Sequence, residues 1–131
     1  MKTIVIGDVH GRSLWKQIVN QENADRVIFI GDYFDSFDIK GEDQISNFLD
    51  IIEYKKSSGK EVIMLIGNHD HHYFPEIGNT GTSGYQSMFS YQISPVLDAN
   101  REHLLCPHCG RTIDKPNYTR YHGDKCKLYK E

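Results

Sequence analysis

Three short clusters in this chain bring together side chains that bind metal ions: Gly7-Asp8-Val9-His10-Gly11, Gly31-Asp32-Tyr33-Phe34-Asp35-Ser36 and Gly67-Asn68-His69-Asp70. Carboxylate, imidazole and carboxamide donors in combination suit divalent first-row ions such as Mn, Fe, Zn or Ni, and the residue types alone do not choose among them. Each cluster opens on a glycine, whose missing Cβ permits a tight turn and close approach to an ion. One carboxylate has two oxygens and can bridge two ions. Two ions about 3.5 to 4 Å apart clamp a phosphate, generate hydroxide near neutral pH and stabilise an in-line displacement.

A second set of ligands lies near the end of the chain. Cys106-x2-Cys109, twelve intervening residues and His122-x3-Cys126 have the spacing of a tetrahedral structural zinc site. All three cysteines of the chain fall here, and an odd number without an export signal favours metal ligation over disulfides. So short a segment has almost no core, so zinc would supply most of its folding free energy. His108 reads as a loop residue.

The first three clusters each follow a β-branched run: Lys2 to Ile6, Arg26 to Ile30 and Glu61 to Ile66. Nearly continuous apolar runs of this kind fit buried parallel strands. Between them lie two helical patterns. Leu14, Trp15, Ile18 and Val19 share a face over Ser13 to Gln21, with Trp15 in the core. Ile45, Phe48, Leu49 and Ile52 share another, with Glu42 and Asp43 at its start and Lys55 and Lys56 at its end. The order βαβαβ implies right-handed crossovers and a parallel sheet, whose strand ends share one edge. Clusters some sixty positions apart should therefore meet in one crevice, where open α/β sheets bind ligands. Further along, a Gly-rich loop precedes a helix expected to open at Ser94 as N-cap with Pro95 in its first turn, running to about His103.

A length of 131 residues, 38 % apolar and 25 % charged, allows one soluble core with a short appendage and no membrane span. The opening residues lack the features of a signal peptide, and the expectation is a cytoplasmic protein. The net charge of -3 hides a division. From residue 106 onward six Lys/Arg stand against three acids, leaving nine against fifteen before it. An acidic head suits cations and a basic tail suits a polyanion; solvated surface accounts for such charge equally well.

In order and spacing, GDVHG at 7–11, GDYFDS at 31–36 and GNHD at 67–70 resemble the first three signature blocks of the calcineurin-like metallophosphoesterases, over about residues 1–105. The resemblance implies that Asp8 and His10 hold a first metal, that Asp32 bridges two, and that Asn68 binds the second. It implies that His69 is the general acid or steadies the transition-state charge, oriented by Asp35, since a carboxylate behind an imidazole fixes its tautomer. Asp35 also reads as a turn-stabilising residue. The family's later histidines, ending in a Gly-His-x-His-like block, have no counterpart here, so the second metal keeps only Asp32 and Asn68 unless His71, His72, a tail residue or another subunit completes it. His71 and His72 read first as an exposed loop pair. Tyr33, Tyr73 and Tyr85 read either as packing for an aromatic leaving group or as cover for the sheet edge.

The tail, CPHCGRTIDKPNYTRYHGDKCK, resembles the C2HC fingers of phage-associated homing endonucleases. That likeness implies a basic set on nucleic-acid phosphates (Arg111, Lys115, Arg120, Lys125, Lys127), with Tyr118 or Tyr121 stacking.

The expected architecture is α/β: a βαβαβ parallel sheet with flanking helices, half of a metallophosphoesterase sandwich, over residues 1–104, and a C2HC zinc module over 105–131. The expected function is metal-dependent hydrolysis of a phosphate mono- or diester, with one or two divalent ions in the head and structural Zn in the tail. DNA or RNA is the expected tail partner, and a homodimer would cover the open sheet. The alternative is a nucleic-acid-binding protein with an impaired phosphoesterase-like head.

Overall fold

In the computed structural model, residues 1–74 and 85–106 are described. Strands β1 (Thr3–Ile6), β2 (Arg26–Phe29) and β3 (Glu61–Leu65) alternate with helices α1 (Leu14–Glu22) and α2 (Gly41–Ser57), as the apolar runs predict. Strand β3 leads into a single helical turn, α3 (Asn68–His71), then α4 (Ser87–Ala99), a 3-10 turn at Arg101–His103 and β4 (Leu104–Leu105). All pairings are parallel, in the order β1-β2-β3-β4. The sheet thus gains a fourth strand that sequence reading did not anticipate. Two residues are too few to show a period, and Leu104-Leu105 stand at the expected border of the tail.

Strands laid down one after another in the same direction by right-handed crossovers place their helices on the same face. Burial follows suit. Ile6, Phe29, Met64 and Leu104 stand in one register row and are buried, with Val27 and Val62 in the row beside them. The alternate positions Val5, Ile28 and Ile63 are exposed or half-buried among the described residues, because side chains alternate across a strand. Trp15 belongs to the core as expected, edge-on to Phe29 at 5.6 Å between centroids.

The helix stripes are rotated from the expectation. Leu14 is 61 % exposed and Leu49 42 % exposed, while α2 turns Gln44 and Asn47 inward beside Phe48, Ile51 and Ile52. Both carboxamides are engaged at both their oxygen and their nitrogen. Asn47 Oδ1 accepts from Trp15 Nε1 at 3.0 Å, and its Nδ2 donates to the Arg12 carbonyl at 3.0 Å. Gln44 Nε2 donates to the Ile39 carbonyl at 2.7 Å and to Gln86 Oε1 at 3.1 Å, and Oε1 accepts from Ser36 N at 3.4 Å. A hydrophobic pattern cannot foresee a helix that buries amides in order to tie down two loops.

The fourth helix also differs. It begins at Ser87, so Ser94 is not an N-cap and Pro95 sits in the helix interior. The Ser94 hydroxyl donates to the Tyr73 carbonyl. Pro95 cannot bond the carbonyl of Tyr91, an exposed residue, and such a break typically costs about 3 kcal/mol. Full burial of Ile93 and Leu97 offsets it, at roughly 1.5 to 3 kcal/mol each.

One buried carboxyl side chain joins the ends of β2 and β3. Asp70 Oδ2 accepts from the backbone N–H of Asp32 at 2.7 Å and of Gly67 at 2.9 Å, while Oδ1 accepts from Tyr33 N at 2.8 Å. Burial pushes this carboxyl up to about 8, and the three N–H donors pull the other way.

Two predictions follow from these ties. Asn47→Ala should lower stability by about 1–3 kcal/mol in denaturant unfolding, because a buried indole N–H and the Arg12 carbonyl lose their partner. For Asp70 the folded value lies above the reference 3.8, so the native state holds the proton more tightly; the stability it contributes is present below about pH 4 and is lost as pH rises toward 8. Metal-free wild type should therefore lose more stability than Asp70→Asn between about pH 5 and pH 8. Equal losses in urea unfolding would contradict this.

Candidate functional site

The clusters lie just beyond the C-terminal ends of β1, β2 and β3, on one edge of the sheet. Their backbone is unusual. Asp8, His10, Asp32 and Asp35 have φ of 50°, 44°, 58° and 71°, in the left-handed region that non-glycine residues seldom adopt. Such conformations cost on the order of 1–3 kcal/mol each and persist only where the surroundings enforce them. Here a set of hydrogen bonds does so. His10 N donates to the Asp32 carbonyl at 2.7 Å and Gly11 N to the Tyr33 carbonyl at 2.9 Å, stitching the first loop to the second. His69 N donates to Asp32 Oδ1 at 3.0 Å, and the Asp70 carboxylate holds the second loop to the third.

Two glycines make that approach possible. A Cβ on Gly31 would meet Gly67 Cα at 2.7 Å, and one on Gly67 would come within 2.6 Å of Asp32 N and collide with its carboxylate. The second and third turns are therefore in backbone contact, and only glycine fits where they touch.

Asp8, His10 and Asp32 form a group that could hold a metal ion, with one ligand atom from each within 4.8 Å of the others. Asp8 is exposed and the other two are half-buried, so the group opens to solvent. His10 Nδ1 lies 2.6 Å from the Phe34 carbonyl. A carbonyl only accepts, so Nδ1 carries the hydrogen and Nε2 keeps the lone pair that a metal requires.

Behind this group Asp35 is buried and contacts three side chains. His69 Nδ1 lies 2.9 Å from its Oδ2, so Nδ1–H donates and Nε2 is left for whatever enters the cleft. Tyr73 donates its hydroxyl to Oδ1, and burial, reinforced by that hydrogen bond, holds the phenol well above its ordinary value. His72 Nε2 lies 2.9 Å from Oδ2, and the His72 ring packs edge-on against Tyr73 and Tyr85 with centroids at 4.5 and 4.7 Å. The Tyr73 hydroxyl also accepts from Gln86 N at 3.0 Å, fastening the start of α4 to the same hub.

A cleft of about 400 Å³ fronts the site, lined by His10, Arg12, Asp35, Ser36, Phe37, Asp38 and His69. Arg12 pairs with Asp38 at 3.0 Å. The Ser36 hydroxyl, then the Arg12 guanidinium, hold the Asp38 carboxyl below its usual range.

The sequence-derived set comes together in part. Asp8, His10 and Asp32 converge, and His69 and Asp35 are hydrogen-bonded. Asn68 begins α3, but its side chain lies outside what is described. Cys106 is buried just after β4; Cys109, His122, Cys126 and the basic set from Arg111 to Lys127 lie outside the described residues. Three readings need correction. His72 is not half of an exposed pair but is buried behind Asp35, because His72 and Tyr73 follow the α3 turn inward. Tyr33 and Tyr73 are fully buried and cannot face a leaving group; Tyr33 donates instead to the Leu65 carbonyl at 2.9 Å. Their hydroxyls find partners inside, which frees the rings to pack in the core.

Arg12, Phe37 and Asp38 were missed as cleft residues. The available signal was their position, Arg12 directly after GDVHG and the other two directly after GDYFDS. The anchoring role of Asp70, also missed, had no sequence signal beyond its place in GNHD.

Over 27 residues the chain is 52 % identical to an uncharacterized 9.4 kDa protein in the nrdB-nrdA intergenic region of Enterobacteria phage T4, a stretch of 21 % of this chain and 32 % of that protein. The chain thus spans about a third of that relative's length. No solved structure matches it. No helix among the described residues is long and apolar enough to cross a membrane. The profile of the calcineurin-like phosphoesterases, whose members are metal-dependent, matches residues 1–128, and the chain belongs to that family.

Proposed function

We propose that the chain hydrolyses a phosphate mono- or diester with hydroxide activated by a divalent metal ion. The observation that carries this is the convergence of Asp8, His10 and Asp32 at the ends of two adjacent strands, with His69 fixed beside them by Asp35. In this reading Asp8, His10 and Asp32 would hold a first ion, and Asp32 with Asn68 a second. When bound, the ions would supply hydroxide near neutral pH and offset the charge of the phosphate. His69 delivers a proton to the leaving oxygen through Nε2, with Asp35 holding the ring and its tautomer. Arg12, the cleft's guanidinium, faces the phosphate oxygens, a planar fork suited to them.

Residues 105–131 are in this reading a structural zinc module that runs on from β4, with Cys106, Cys109, His122 and Cys126 as ligands, and its basic side chains bring the hydrolase to nucleic acid. Support comes from ligand spacing and from the charge division along the chain. The short likeness to a phage T4 protein is in keeping with a mobile-element origin for such a fusion. A second copy of the chain against the exposed Val5 face of the sheet completes the assembly. A nucleic-acid-binding protein with an impaired head is the second reading, resting on the lack of a counterpart in the sequence to the family's later histidines.

Purified protein with added Mn should hydrolyse generic phosphate esters, and Asp32→Asn should lose at least about a hundredfold in rate, because removing a bridging charge weakens both ions at once. Full activity in that variant would sink the mechanism; salt-sensitive DNA binding with no turnover would favour the second reading. His69→Gln should cost about 10²–10⁴-fold with a poor leaving group such as phenol and much less with p-nitrophenol, which departs without a proton. An equal loss with both would remove His69 as the acid.

A further inference from the structure

Five of the six phenylalanines lie in or against the core, with Phe29, Phe34, Phe48 and Phe74 fully buried and Phe89 packed beside them. Phe37 is the exception: it is 85 % exposed and lines the cleft with His10, Arg12 and His69. It contributes almost nothing to the core. Yet the backbone that carries it is held on both sides. Gln86 Nε2 donates to the Ser36 carbonyl at 2.6 Å, and the Asp38 N–H donates to the Ser36 hydroxyl at 3.3 Å, which in turn donates to the Asp38 carboxylate at 2.7 Å. A fixed loop therefore presents a bare aromatic ring to water at the mouth of a polar, charged cleft.

We infer that Phe37 is a stacking platform for a planar aromatic group, aryl or nucleobase, borne by the phosphate ester that enters this cleft. The inference rests on the phosphoesterase reading and specifies its substrate class. The cleft offers the two halves of such a ligand different surroundings: the imidazoles of His10 and His69 and the Arg12 guanidinium for the phosphoryl group, and one flat apolar face for the rest. An aromatic ring on Phe37 removes apolar area of both partners from water and gains the offset or edge geometry that aromatic pairs prefer. An alkyl group of the same ester gains less, because it has no face to match. Of the tyrosines considered for this role, Tyr33 and Tyr73 are enclosed in the core and Tyr85 is half-buried against it, and none lines the cleft, which leaves Phe37 as its phenyl-type side chain among the described residues.

The test is calorimetric titration of the Mn-loaded full-length chain with phenylphosphonate and with methylphosphonate, neither of which has an ester bond to cleave. Wild type should bind the phenyl compound about three- to tenfold more tightly. Phe37→Ala should erase the difference and Phe37→Leu should shrink it, both with unchanged Tm because the ring packs on nothing. Methylene-phosphonate analogues of AMP and of ribose 5-phosphate make a second pair: a larger gain there identifies a nucleobase, and a gain confined to phenyl identifies a simple aryl group. Equal affinities within both pairs, no measurable binding of any of the four, or a preference that survives Phe37→Ala overturns the inference. Ester turnover without any aromatic preference in binding sinks it while leaving the phosphoesterase reading intact. A Phe37-dependent preference in a chain that turns over nothing keeps the subsite and sinks that reading.

Discussion

The site depends on the buried carboxylate of Asp70. Its two oxygens take hydrogen bonds from the backbone of Asp32, Tyr33 and Gly67, so one side chain sets the distance between the turn after β2 and the turn after β3. Burying a carboxyl group is costly unless donors surround it. Once they do, the arrangement resists change, because moving either loop strands N–H groups and an acceptor together. Asp32 and His69 lie on opposite sides of that clamp, and the bond from His69 N to Asp32 Oδ1 closes the ring.

Around this tie the molecule favours rigidity of the loops over economy of the core. Helix α2 devotes two inward positions to Gln44 and Asn47, where apolar side chains would bury more surface, and their amides secure the Arg12, Ile39 and Ser36 segments. Gln86 and Tyr73 do the same from later in the chain, so the start of α4 is bound to the GDYFDS turn. Such supports allow four residues of the clusters to occupy left-handed backbone conformations. The strain and the supports belong to one design, in which side chains of the first two loops, Asp8, His10 and Asp32, are brought close enough to share an ion, with His69 of the third held beside them.

The sheet is covered unequally. Successive crossovers in one direction stack the helices on one face, and the opposite face holds half-buried or exposed β-branched residues among the described part of the chain. The chemistry is untouched by this asymmetry, since the loops leave the strand ends and are secured from the helical side. For a calcineurin-like phosphoesterase, the consequence is that a three-residue group that could hold a metal ion and a hydrogen-bonded His-Asp pair can be built from the first three strands alone.

Much of this was legible before any coordinates. Periodicity located β1, β2, β3, α1 and α2, and their order dictated a parallel sheet whose strand ends bring Asp8, His10, Asp32, Asp35 and His69 together. Such information is local and repetitive, so it survives in the one-dimensional pattern. What the pattern concealed depends on partners distant in sequence. Strand β4 exists because Leu104 and Leu105 pair with Met64 and Leu65, not through any preference of its own. Pro95 is tolerated inside a helix because its neighbours Ile93 and Leu97 are buried. His72, Tyr33 and Tyr73 turn inward, and Phe37 outward, according to which hydrogen-bond acceptors and packing surfaces the tertiary fold offers each of them. Residue type and spacing by themselves determined which chemistry the chain carries and on which edge of the sheet it gathers; only the folded structure decided which side chains reach the cleft, because burial and hydrogen-bond satisfaction are settled between segments and not within them.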